Sequence, residues 1–118
     1  MKESTLCKSL SGLEVPLLTI SSRINSRTFE VIDENEFTSE TLPLNKYKKY
    51  IIVCSRVHPG ETIASFIMQG FLNFITSNEP FAVELRKRIV FKVIPMTNPD
   101  GVIVGNYRTS MSGNDLNR

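Results

Sequence analysis

The sequence predicts an α/β domain built on a mixed, mainly parallel sheet with an N-terminal hairpin, and three segments carry that expectation. Tyr50 to Cys54 is a continuous apolar run of the kind found in strands covered on both faces. From Ile63 onward, apolar residues recur at 63, 66, 67, 71, 74 and 75, which is the spacing of an amphipathic helix. Arg88 to Pro95, reading Arg-Ile-Val-Phe-Lys-Val-Ile-Pro, is strand-like again. Strand, loop, helix and strand in that order form a βαβ unit, whose crossover places two parallel strands in one sheet.

The other elements follow along the chain. Residues 13 to 20, Leu-Glu-Val-Pro-Leu-Leu-Thr-Ile, predict a strand after Gly12, with Pro16 at an edge or a bulge because it has no N–H to give to a ladder. A short strand around Thr28 to Ile32 is expected to pair with it as the hairpin. Asp33 to Lys49 is polar and mixed in charge, and reads as a solvated connector. Tyr50 to Cys54 is then the buried central strand, with Cys54 acting as a small hydrophobe. Gly70, on the helix that begins at Ile63, is expected to allow close approach to the sheet. Asn78-Glu79-Pro80 ends that helix, and Ala82 to Arg88 forms a further helical turn. After the last strand, Asn98-Pro99-Asp100-Gly101 has the composition of a tight turn.

With 118 residues, 41% hydrophobic and 22% charged, the chain falls in the range of one globular domain or part of one. The first 50 residues hold seven basic and seven acidic side chains and the rest hold seven and five, with no basic stripe, so nucleic acid is not an expected partner. Two cysteines are too few for a disulfide scaffold, and residues 1 to 7 lack an apolar signal core; a reducing, cytoplasmic setting is expected. No apolar stretch reaches the roughly 20 residues of a membrane span.

His58-Pro59-Gly60-Glu61-Thr62 directly follows the first strong strand. In a βαβ unit, ligands bind at the carboxyl ends of the strands. A neutral imidazole and a carboxylate three residues apart, with Pro-Gly folding the chain between them, can converge on one metal ion as two of the three protein ligands common in catalytic zinc sites. Alone, the pair is more often a helix start, where a carboxylate meets backbone donors and the positive end of the dipole. Context separates the two, because three polar clusters follow on the same side of the proposed sheet: Asn98 to Gly101, Gly105-Asn106-Tyr107-Arg108, and Asp115-Leu116-Asn117-Arg118.

Taken in order, Arg-Val-His-Pro-Gly-Glu-Thr, Pro-Met-Thr-Asn-Pro-Asp-Gly-Val-Ile-Val-Gly-Asn-Tyr-Arg and Asp-Leu-Asn-Arg resemble the zinc metallocarboxypeptidases, in particular the cytosolic carboxypeptidase branch that trims glutamates from tubulin and other proteins. The start, Leu10-Ser11-Gly12 with Val15 to Ile20, is similar to the opening of that branch's catalytic domain. The resemblance implies a partial three-layer metallocarboxypeptidase-like domain over residues 1–118. It implies His58 and Glu61 as ligands of Zn2+, and Asp115 as the carboxylate that accepts the other ring N–H of His58. Arg108 would stabilise the oxyanion, and Asn117 and Arg118 would hold the substrate's C-terminal carboxylate. Asn98 to Gly101 would be mainly architectural, and Tyr107 is read as a partly buried aromatic.

That family also uses a later histidine as third ligand and a later glutamate as general base, and neither is matched in these residues; His58 is the sole histidine. The expectation is therefore a truncated N-terminal portion of the catalytic domain, inactive alone, weakly stable and dependent on a missing complementary segment. C-terminal tails of proteins, tubulin among them, are the implied partners. Two alternatives stay open: a non-catalytic fragment or pseudoenzyme that binds acidic tails, and an aspartoacylase-like zinc amidohydrolase.

Overall fold

The computed structural model describes residues 1–22 and 48–118. Within them lie β1 (Lys2–Lys8), β2 (Glu14–Ile20), β3 (Lys49–Cys54), α1 (Ile63–Thr76), α2 (Pro80–Arg88), β4 (Ile89–Ile94) and α3 (Pro99–Val104). The strands form one mixed sheet in the order β1-β2-β4-β3. β3 and β4 run parallel, from Lys49 opposite Ile89 to Cys54 opposite Ile94, as a βαβ unit requires. The pairings of β1 with β2 and of β2 with β4 are antiparallel.

The N-terminal hairpin exists, but β2 pairs with β1. The expected partner around Thr28 to Ile32 lies outside the described residues, as does most of the polar connector. Every residue of β1 is exposed, so its sequence carries no apolar alternation to reveal it. Pro16 sits in an interior strand, opposite Thr5, where the register slips between Thr5 and Cys7. A bulge tolerates the missing N–H, which resolves the two sequence readings of Pro16.

Alternation along β2 and β4 builds the core. Leu18, Ile20, Phe91 and Val93 meet Met68 and Ile75 of α1, with Phe71 and Leu72 packed alongside. Phe71 meets Phe91 edge to face at 5.9 Å between ring centres, a geometry favoured by the ring quadrupoles. Pro80 opens α2 at the first helical position, where no N–H is missed. Arg86 then reaches back to the Ile75 and Ser77 carbonyls at 2.5 and 2.8 Å, satisfying acceptors at the end of α1.

Four expectations require correction. β3 lies at the sheet edge and is largely exposed, with Ile52 70% accessible and Cys54 exposed, because nothing among the described residues covers it. On α1 the buried residues are Met68 and Ile75, whereas Ile63, Phe66 and Ile67 stand in solvent. Gly70 is exposed, and a Cβ there would meet nothing within 4 Å among the described residues, so it mediates no close approach among them. The Asn98 to Gly101 segment is the start of a helix instead of a tight turn. Asn98 caps α3 by accepting from the Gly101 N–H at 3.0 Å, Pro99 takes the first position, and Gly105 closes the helix.

Candidate metal centre

The loop leaving β3 is clamped before it reaches His58. Ser55 continues the parallel ladder through its N–H to the Ile94 carbonyl, and its own carbonyl accepts from Thr97 N–H at 2.9 Å and Thr97 Oγ1 at 3.0 Å. The Asn98 N–H donates to the Arg56 carbonyl at 3.1 Å, and Asn98 Nδ2 donates to the carbonyls of Val57 and Thr109 at 3.2 and 3.3 Å. One side chain thus joins the His58 loop, α3 and the segment after α3. Asn98 is 3% exposed, so these bonds also satisfy a buried amide.

Two glycines bring these segments into contact. A Cβ on Gly101 would lie 2.4 Å from Pro59 Cγ and 2.7 Å from the Thr109 carbonyl. On Gly60 it would lie 2.5 Å from the Tyr107 ring and 2.7 Å from the Tyr107 carbonyl, which accepts the Gly60 N–H at 2.7 Å. Both sites need the missing side chain for close approach of backbone. Tyr107 itself is 78% exposed, not partly buried as the sequence suggested, and serves this loop through its backbone and the edge of its ring.

His58 is buried, and both of its nitrogens face carboxylates. Nδ1 lies 3.0 Å from Glu61 Oε1, and Nε2 lies 3.0 Å from Asp115 Oδ1. Asp115 is held in turn by Arg108, whose Nε donates to Oδ2 at 2.6 Å, and by the Asn117 N–H at 2.9 Å to Oδ1. These donors, the Asn117 backbone first, followed by His58 and Arg108, lower the Asp115 carboxyl from its ordinary value to about 2.

A neutral imidazole has one N–H. If Nε2 carries it and donates to Asp115, the Nδ1 lone pair faces a Glu61 oxygen, and a proton or a metal cation between the two would relieve their repulsion. A ring nitrogen and a carboxylate oxygen are donor types that zinc takes, so His58 Nδ1 and Glu61 would be the groups to hold it, and at 3.0 Å they stand at hydrogen-bond distance from each other. Glu61 is exposed, which leaves an approach for the ion. No three His, Cys, Asp or Glu side chains are grouped to hold a metal among the described residues, so the pair would supply only part of a metal's ligand set.

The structure thus brings together four of the six residues singled out from sequence: His58, Glu61, Arg108 and Asp115. Asn117 contributes its backbone N–H, while its side chain is exposed. Arg118 is exposed and bonds through Nη1 to the Asn117 carbonyl at 2.8 Å, its backbone N–H reaching the Asp115 carbonyl. Sequence reasoning did not single out Arg56, which underlies this loop. A non-glycine residue in the left-handed region, φ 54°, has no sequence signature.

The family model described as zinc carboxypeptidase matches residues 1–118. Cytosolic carboxypeptidase 2 of Xenopus tropicalis is 51% identical over 117 residues, covering 99% of this chain and 10% of that protein. Its human counterpart is 50% identical over 117 residues, covering 99% of this chain and 11% of that protein. The chain thus spans about a tenth of the length of these relatives. Among solved structures, a metallo-carboxypeptidase from Burkholderia cenocepacia superposes with a TM-score of 0.75 at 26% identity, covering 98% of this chain and 27% of that one. The four-stranded mixed sheet with its helices is therefore a metallocarboxypeptidase fold.

Proposed function

We propose that this chain, which belongs to the zinc carboxypeptidase family, supplies the first metal-ligating pair of a catalytic domain that removes C-terminal residues, glutamate foremost, from protein tails such as those of tubulin. The observation that carries this reading is His58 held at 3.0 Å between Glu61 and Asp115, one carboxylate on each nitrogen. His58 and Glu61 would hold Zn2+, which when bound polarises a carbonyl and lowers the pKa of water.

The chain's own residues have distinct parts in this proposal. Asp115 keeps the Nε2 proton in place and so presents Nδ1 as the ligating atom, the usual effect of a carboxylate behind a metal-bound histidine. Arg108, anchored to Asp115 through Nε and 40% exposed, presents a permanent positive charge where an oxyanion would form. Asn117 and Arg118 are assigned the terminal carboxylate of the substrate. The names of the relatives favour a cytoplasmic setting.

The 118 residues hold one histidine and offer no counterpart to the family's general-base glutamate, so no hydrolysis is expected from them in isolation. A chimera tests the proposal, with this chain replacing the matched segment of human cytosolic carboxypeptidase 2. Release of glutamate from a peptide ending in glutamate is expected, and His58→Ala in the chimera should reduce it to background. Equal release by the His58→Ala chimera contradicts the assignment.

A further inference from the structure

We infer that Arg56 is a positioning residue for the metal-ligating pair, bracing the turn between His58 and Glu61 through its guanidinium. This rests on the metal reading above. Arg56 holds a left-handed backbone, φ 54°, that a non-glycine residue adopts only at a cost its surroundings must meet. Those surroundings are the hydrogen bonds from Thr97 to the Ser55 carbonyl and from Asn98 to the Arg56 carbonyl. The turn sends the side chain back under the loop. There Nη2 donates to the Pro59 carbonyl at 2.6 Å, and Nη1 donates to Ser65 Oγ at 2.8 Å.

Those two acceptors stand on either side of Glu61. Pro59 follows His58 directly, and Ser65 lies in the first turn of α1, whose N–H bonds back to the Thr62 carbonyl. The Glu61 N–H bonds the His58 carbonyl directly at 3.2 Å, and a planar fork that grips both Pro59 and Ser65 braces that turn against the start of α1. Lysine carries the same charge, but it is a point donor without the fork's fixed geometry. Arg56 Nε is buried without an acceptor among the described residues, so the head is held by its two terminal nitrogens.

Zinc titration of the 118-residue chain, followed by calorimetry beside a thermal unfolding scan, tests the inference. In Arg56→Ala, zinc Kd should rise about 10- to 100-fold, as when a group supporting a ligand is lost. Arg56→Gly, which accepts the left-handed turn without the guanidinium, should lose as much. Arg56→Lys should recover part of the loss, and it serves as the test if the smaller variants do not fold. Wild-type affinity in Arg56→Lys together with Arg56→Ala, or wild-type affinity in Arg56→Gly, overturns the inference. His58→Ala separates the two readings: if it leaves zinc binding intact, the metal assignment fails, whereas if it abolishes binding and the Arg56 variants do not weaken it, only the positioning role fails.

Discussion

Gly60 shows how tightly a single residue constrains the centre. Its N–H donates to the Tyr107 carbonyl, and the space its Cβ would need is taken by that same oxygen, 2.7 Å away, and by the Tyr107 ring at 2.5 Å. The ring can swing into solvent, but the carbonyl cannot leave without breaking the bond it accepts. Gly60→Ala is therefore expected to cost about 1 to 3 kcal/mol in a urea unfolding titration. Tyr107→Ala in the same background should not restore it, since the backbone oxygen remains. The glycine's place between histidine and glutamate was legible in sequence, but its partner was not. His58 and Asp115 are likewise 57 residues apart, a contact that came from family resemblance because no local spacing encodes it.

At the level of elements, the sequence showed the βαβ unit because its strands and helix have clear periods. It did not show which side of α1 faces the sheet. Ile63, Phe66, Ile67, Met68, Phe71, Leu72, Phe74 and Ile75 cover so much of the helix circumference that periodicity fits more than one face. Packing decides the matter: Ile75 is fully buried against the sheet, and Phe66 is 72% exposed. Ile75→Ala should lower stability by about 2 to 5 kcal/mol through lost burial and a cavity. Phe66→Ser should stay within about 0.5 kcal/mol, being a surface change. Equal effects in denaturant unfolding would reverse the orientation described for α1. β1 was missed for the opposite reason, since all seven of its residues are exposed and its strand is defined by backbone pairing to β2.

Across the whole molecule, the hairpin is latched to the segment that carries the centre. Asp100 of α3 accepts from the hydroxyls of Ser11 and Ser9 in the β1–β2 turn and from the Ser11 N–H. Those hydroxyl bonds, Ser11 first, lower its carboxyl below the usual range, outweighing desolvation. A carboxyl lowered in the folded state contributes stability that is full above its ordinary value near 3.8 and is lost as pH falls through the lowered one. Asp115, lowered to about 2, has the same sign. Unfolding midpoints measured from pH 5 downward should therefore fall in the native chain, and Asp100→Asn should flatten part of that decline while lowering the plateau above it.

The proposed activity comes back to one imidazole with two carboxylate neighbours. The direct test is long-range 1H–15N correlation of His58 in the isotopically labelled 118-residue chain during addition of zinc. The account predicts that the Nδ1 resonance moves on metal addition while Nε2 remains a protonated donor to Asp115. Movement of Nε2 with Nδ1 unchanged, or zinc binding that leaves both nitrogens untouched, would contradict it.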